Sequence, residues 1–144
     1  MGIKIKQHDI TDCGAACIAS ICAHYKLKLP IARIRQKAGT DQKGTNLLGM
    51  IAAVEQLGFS AKGVKAQVEA LSKIPLPAIA HVIVNKQLHH YVVLYKVEKS
   101  SVLVMDPGMG NVEKWSTEKF QEMWTGVLLL LAPNESFETG TQKI

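Results

Sequence analysis

The chain lacks a disulfide framework, a membrane-spanning run, a secretory signal, a glycine-rich phosphate loop, an internal repeat and any low-complexity tract. Each absence removes a class of protein. Its three cysteines, Cys13, Cys17 and Cys22, crowd one predicted helix at spacings of four and five residues. Bridging them would break that helix, and an odd count argues against a cystine scaffold. The thiols are expected to be free, in a reducing compartment. Cys13, Cys17 and His24 lie on one helix, but no second cysteine pair exists to complete the paired ligand knuckles of a structural zinc site. The longest apolar run near the end, Val127 to Ala132, is about three times too short to cross a bilayer as a helix. Met1 leads straight into Lys4, Lys6 and His8, without the apolar stretch of an export signal. A soluble, non-exported domain with no membrane insertion of its own is therefore expected. The net charge of +5 raises the question of nucleic acid, yet the lysines scatter and no aromatic-basic motif interleaves with them. An acidic peptide partner would use the same charge.

What is present suits one domain. The chain has 144 residues, 47 % of them hydrophobic, enough for a single core. Helices are predicted from Cys13 to Tyr25, Pro30 to Lys37 and Asn46 to Leu57, the last capped by Thr45 and stopped by Gly58. Strands are predicted for Phe59 to Val64, Ala78 to Val84, His90 to Val97, Val102 to Asp106, Asn111 to Trp115 and Gly126 to Leu131. A helical turn at Gln67 to Leu71 and a small helix at Ser116 to Met123 interrupt them. Helices first and an antiparallel sheet afterwards make an α+β domain in two lobes, with a cleft between them. Residues 1–132 form that domain, and the polar stretch 133–144 reads as a linker towards something that follows.

Cys13 is the first residue with chemistry to offer. At the first turn of a helix a cysteine feels unpaired backbone N–H groups and the positive end of the helix dipole, which favour thiolate over thiol. Thr11 or Asp12 can cap the helix, and Gly14 leaves room for a substrate backbone. Gln7, six positions earlier, can join the Cys13 N–H as a donor to an oxygen that turns negative during acyl transfer. Such a thiol needs a base and an orienting partner. His8 and His24 are too close in sequence to come from a facing element. His81, inside an apolar run, reads as a hydrogen-bonded core histidine. His89 and His90 open the strand Tyr91 to Leu94, and alternation puts them on opposite faces without choosing between them. Asp106 ends the next strand. In a hairpin turning between Val97 and Ser101, residues near 90 and 106 fall at the same end, so a Cys-His-Asp triad can assemble. Cys17 and Cys22 are read as small core hydrophobes.

Gln7, the run Asp12-Cys13-Gly14-Ala15-Ala16-Cys17, His90-Tyr91-Val92-Val93 and Asp106-Pro107 together resemble the bacteriocin-processing peptidases. These are papain-like cysteine proteases at the cytoplasmic N-terminus of peptidase-containing ABC transporters. The resemblance selects His90 over His89, and implies Cys13 as nucleophile, Asp106 as the residue orienting the histidine and Gln7 as oxyanion donor. It implies as substrate the double-glycine leader of a bacteriocin or lanthipeptide precursor. As partners it implies transmembrane and ATP-binding domains of a homodimeric transporter, on the cytoplasmic side of the membrane. No metal or cofactor is called for. A leader would need an extended contact such as an amphipathic helix in an apolar groove. In the helix from Asn46, residues Leu47, Met50, Ile51, Val54 and Leu57 make the core stripe and Leu48 falls off it. Either a neighbouring loop covers Leu48 or it belongs to that groove. A leader receptor that does not cut, and an acyltransferase or deamidase using the same triad, remain the competing readings.

Overall fold

Between Cys13 and Cys22 no side chain is larger than isoleucine, and a helix apolar on all sides belongs inside a protein. In the computed structural model, helix α1 (Cys13–His24) buries every residue from Ala15 to Cys22 to 1 % exposure or less. The structure describes residues 13–28, 34, 47–84, 88–107, 110–135 and 140–141. The predicted helix at Pro30 to Lys37 lies outside them except for Ile34, which is helical and buried, and so does the Thr45 cap.

After α1 come strand β1 (Leu27–Lys28), helix α2 (Leu47–Gln56), strand β2 (Phe59–Lys65), a 3-10 helix (Val68–Lys73) and strands β3 (Ala78–Val84), β4 (Leu88–Val97), β5 (Ser101–Asp106) and β6 (Asn111–Ser116). Helix α3 (Thr117–Met123), β7 (Trp124–Pro133) and β8 (Gly140–Thr141) complete the order. The predicted stripe of α2 holds: Met50 and Val54 are fully buried, Leu57 nearly so, and Leu47 and Ile51 pack on the same cluster. Gly58 stops the helix as expected, at φ 99°, a conformation open to glycine and strained for other residues. Leu48 is 78 % exposed, so among the described residues nothing covers it. Ser116 caps α3 by accepting a hydrogen bond from the Lys119 N–H at 3.1 Å.

Six strands form one antiparallel sheet in the order β2-β7-β3-β4-β5-β6. One face, through Ile79, Val93, Met105 and Leu129, packs against α1 and α2. The other, through Val82, Val92, Leu94 and Val104, packs against Phe120 of α3 and Leu71 of the 3-10 helix. Covering both faces explains why Val92-Val93-Leu94 and Val102 to Met105 are unbroken apolar runs rather than alternating ones. β1 pairs in parallel with β8, Leu27 with Gly140 and Lys28 with Thr141.

Helix α1 runs along β4 in the same direction. The Cys17 thiol donates to the Tyr91 carbonyl at 3.4 Å, Ser20 Oγ shares a hydrogen bond with the Tyr95 hydroxyl, and the His24 ring lies 5.9 Å from that of Tyr95. Four helical residues back from Cys17 cover about 6 Å, or about two strand residues. The helix therefore leads back from Cys17 towards the start of β4.

Candidate active site

The β4–β5 hairpin turns where the sequence suggests, with the Glu98 N–H donating to the Ser101 carbonyl at 2.8 Å. Val93 pairs with Met105 and Leu94 with Val104, so one more step of register sets Asp106 opposite Val92. His90 is then its diagonal neighbour on the same face, within reach of a long side chain. His90 Nε2 lies 2.7 Å from Asp106 Oδ1, a short distance typical of charge-assisted bonds. The histidine is 8 % exposed. Pro107, directly after the aspartate, is buried, and the Gly110 N–H donates to the Asp106 carbonyl at 2.8 Å. Together these tie down the strand end that carries the carboxylate.

An ionised carboxylate only accepts hydrogen bonds, so Nε2 carries the ring proton and Nδ1 is the nitrogen suited to exchange a proton with a nucleophile. The contact falls on His90, the histidine that the resemblance selects over His89. His89 points to the opposite face, where its Nδ1 lies 3.1 Å from His81 Nε2. His81 is half-buried rather than enclosed in the core. Its partners are Thr125 at 3.0 Å and His89, and burial, then the His89 charge, hold it below the usual imidazole range.

Cys13 is the first residue of α1. Its side chain lies outside the described residues, as do Gln7, His8, Thr11 and Asp12. Gly14 is buried at the head of the helix. The other two cysteines have structural places: Cys17 anchors α1 to β4, a role composition did not suggest, and burial pushes the Cys22 thiol up to about 12. Iodoacetamide at neutral pH should therefore leave Cys17 and Cys22 unmodified in the folded protein and reach both in denaturant. Peptide mass spectrometry reads the result, and labelling of either without denaturant would contradict their burial.

Comparison with known proteins places this arrangement. The pattern of the Peptidase C39 family matches residues 3–136. The lactococcin-G-processing and transport ATP-binding protein LagD of Lactococcus lactis is 41 % identical over 142 residues, spanning 97 % of this chain and 20 % of LagD. The mesentericin-Y105 transport/processing ATP-binding protein MesD of Leuconostoc mesenteroides is 38 % identical, over 96 % of this chain and 20 % of MesD. The chain thus spans about a fifth of the length of these relatives. Among solved structures, the peptidase domain of Streptococcus ComA, a bi-functional ABC transporter involved in quorum sensing, superposes with a TM-score of 0.87 at 35 % identity, covering 93 % of this chain and 100 % of that one. A double glycine motif protease from an AMS/PCAT transporter, solved in complex with the leader peptide, gives 0.85 at 31 % identity, with 93 % of each chain covered. The α+β arrangement expected from the sequence is the papain-like fold of these domains. With the family pattern running through the helix of Cys13, the strand of His90 and the strand end of Asp106, and with such relatives along nearly its whole length, this chain belongs to the peptidase C39 family.

Proposed function

We propose that this domain is a cysteine endopeptidase that removes the leader of a bacteriocin or lanthipeptide precursor by cutting after a double-glycine motif. The observation that carries the reading is the His90 Nε2 to Asp106 Oδ1 contact of 2.7 Å. In the proposed reaction the Cys13 thiolate attacks the peptide carbonyl carbon and forms a C–S bond. Imidazolium His90 then gives a proton to the departing amine as the C–N bond breaks. Water, losing a proton to the same imidazole, attacks the thioester and frees the leader carboxylate and the thiol group. Asp106 holds the ring and stabilises its charged form, while Gln7 and the Cys13 N–H receive the oxyanion.

The names of the relatives support the substrate and the setting: LagD processes and transports lactococcin G, and one structural neighbour was solved with a leader peptide. On this reading residues 1–132 are the peptidase domain of a homodimeric ABC transporter, on the cytoplasmic side of the membrane. Residues 133–144 lead towards its transmembrane and ATP-binding domains. Among the described residues no helix is long and apolar enough to cross a membrane.

Mass spectrometry of a double-glycine leader peptide incubated with the reduced domain tests the proposal. A single cut after the glycine pair is expected. Binding without any cut would favour a cargo receptor, and transfer of the acyl group to an amine or loss of ammonia would favour an acyltransferase or deamidase. Leu48, standing 78 % exposed on α2, offers an apolar contact to the helical part of a leader. Leu48→Ser should raise KM for a full leader about fivefold, the effect of losing roughly 1 kcal/mol of apolar contact. Its kcat should stay unchanged, as should the KM of a short peptide lacking that helical part; equal KM values for wild type and variant on the full leader would remove Leu48 from the contact.

A further inference from the structure

His90 sits where the sheet thins. β5 ends at Asp106, opposite Val92, so among the described residues Leu88 to Tyr91 have strand partners only in β3. A two-stranded ribbon is marginally stable by itself in water, yet a reacting group has to be held to within about half an ångström. The chain neighbours of His90 supply the missing support. The Tyr91 carbonyl accepts from the Cys17 thiol of α1 at 3.4 Å. His89 Nδ1 lies 3.1 Å from His81 Nε2, with the two rings 5.1 Å apart and 29° from parallel, and the Tyr91 ring lies 5.2 Å from that of His81.

His81 can hold His89 because β7 bulges opposite it. Ala80 pairs with Leu128 but Val82 with Trp124, so Thr125, Gly126 and Val127 together stand against His81. Gly126 turns the chain there at φ 92°. A Cβ on it would lie 3.2 Å from the Ala66 carbonyl oxygen, and its own carbonyl accepts from the Ala66 N–H at 2.8 Å. The Thr125 hydroxyl donates to the His81 carbonyl at 3.2 Å and accepts from the Val127 N–H at 3.4 Å, so towards the His81 ring, 3.0 Å from Nδ1, it accepts as well. His81 therefore carries its proton on Nδ1, and its Nε2 accepts from His89 Nδ1–H. Bulges beside active sites re-aim side chains. We propose that Thr125, His81 and His89 are positioning residues for His90. The β7 bulge aims Thr125, Thr125 orients His81, and His81 holds His89, so that strand alternation presents His90 to Asp106 on the other face. This role rests on His90 being the base of the proposed reaction.

Kinetics of double-glycine leader cleavage by the wild type, His89→Ala, His89→Asn and Thr125→Val, with ¹⁵N spectra of the His90 ring, test the clamp. His89→Ala should lower kcat about tenfold and leave KM within about twofold, as expected when a reacting group is displaced by a fraction of an ångström. Asparagine places a side-chain N–H where His89 carries Nδ1–H, so His89→Asn should recover all but about a twofold loss. Thr125→Val keeps the side-chain shape, removes the hydroxyl and should match His89→Ala. The His90 Nε2–H signal should broaden in His89→Ala and Thr125→Val and stay sharp in His89→Asn, because a ring held against Asp106 protects that proton from exchange. His89 is exposed, so His89→Ala should melt like the wild type, and a fall in kcat at unchanged Tm separates positioning from stability. Unchanged kcat with a sharp His90 signal in His89→Ala, equal losses in His89→Ala and His89→Asn, or a rise in KM alone would overturn the assignment. A wild type that did not cut would instead sink the peptidase reading, and the His90 signal, which needs no cleavage, would still decide the clamp.

Discussion

Cys13→Ala should abolish leader cleavage while leaving leader binding intact. Removing the nucleophile of a triad costs on the order of 10⁶-fold in turnover, because the remaining groups cannot form the covalent intermediate and only binding and oxyanion stabilisation persist. Alanine is the best helix former and Cys13 opens α1, so the helix and its contact with β4 through Cys17 should survive. The measurement pairs a single-turnover assay by mass spectrometry with calorimetric binding of the same leader. Loss of both cutting and binding would point to a folding defect; residual cutting above a hundredth of the wild-type rate would place the nucleophile elsewhere. Cys13→Ser should be nearly as inactive, since a serine hydroxyl stays protonated where the thiol ionises.

Asp106→Ala should cost the next largest factor, on the order of 10²–10³ in kcat, with KM little changed. The carboxylate touches the His90 ring at 2.7 Å. Without it, Nε2–H loses its acceptor, the ring is free to turn, and the imidazolium formed during reaction loses its counter-charge. A buried N–H left without a partner also costs about 1–3 kcal/mol of stability, visible as a lowered Tm. Asp106→Asn separates orientation from charge. Its side-chain oxygen can still accept from Nε2–H, as the asparagine of papain-like Cys-His-Asn sites does, so a loss of only about tenfold is expected. If Asn and Ala variants were equally impaired, charge rather than ring orientation would carry the effect. If neither variant lost activity, His90 would not be the base.

Much of this molecule could be read along the chain. The small apolar residues from Cys13 to Cys22, the Gly58 stop, the Ser116 helix start and the apolar runs of β3 to β5 are local signals, and each element formed where its residues ask for it. Boundaries moved at the ends: β4 begins at Leu88 and β7 at Trp124, two residues before their apolar runs suggest. The backbone there is held by neighbouring strands, which pair with polar and aromatic residues as readily as with valine. That residues near 90 and 106 fall at one end was legible because a hairpin is the shortest-range sheet contact, while the choice of His90 over His89 came from the family resemblance.

Other features depend on chain segments far apart. Alternation puts His89 and His90 on opposite faces in any strand, a consequence of covalent geometry that the sequence carries in full. Which of them meets a carboxylate follows from the pairing of β4 with β5. That Thr125, 44 residues from His81, fixes the tautomer of that ring follows from β7 lying beside β3, an order no local pattern encodes. The same holds for Leu48: periodicity removes it from the core stripe, but its exposure reflects how the rest of the chain packs around α2. Side-chain spacing is a property of the backbone and travels with the sequence, whereas strand order and the seat of α1 on β4 are settled by burying both faces of one sheet at once.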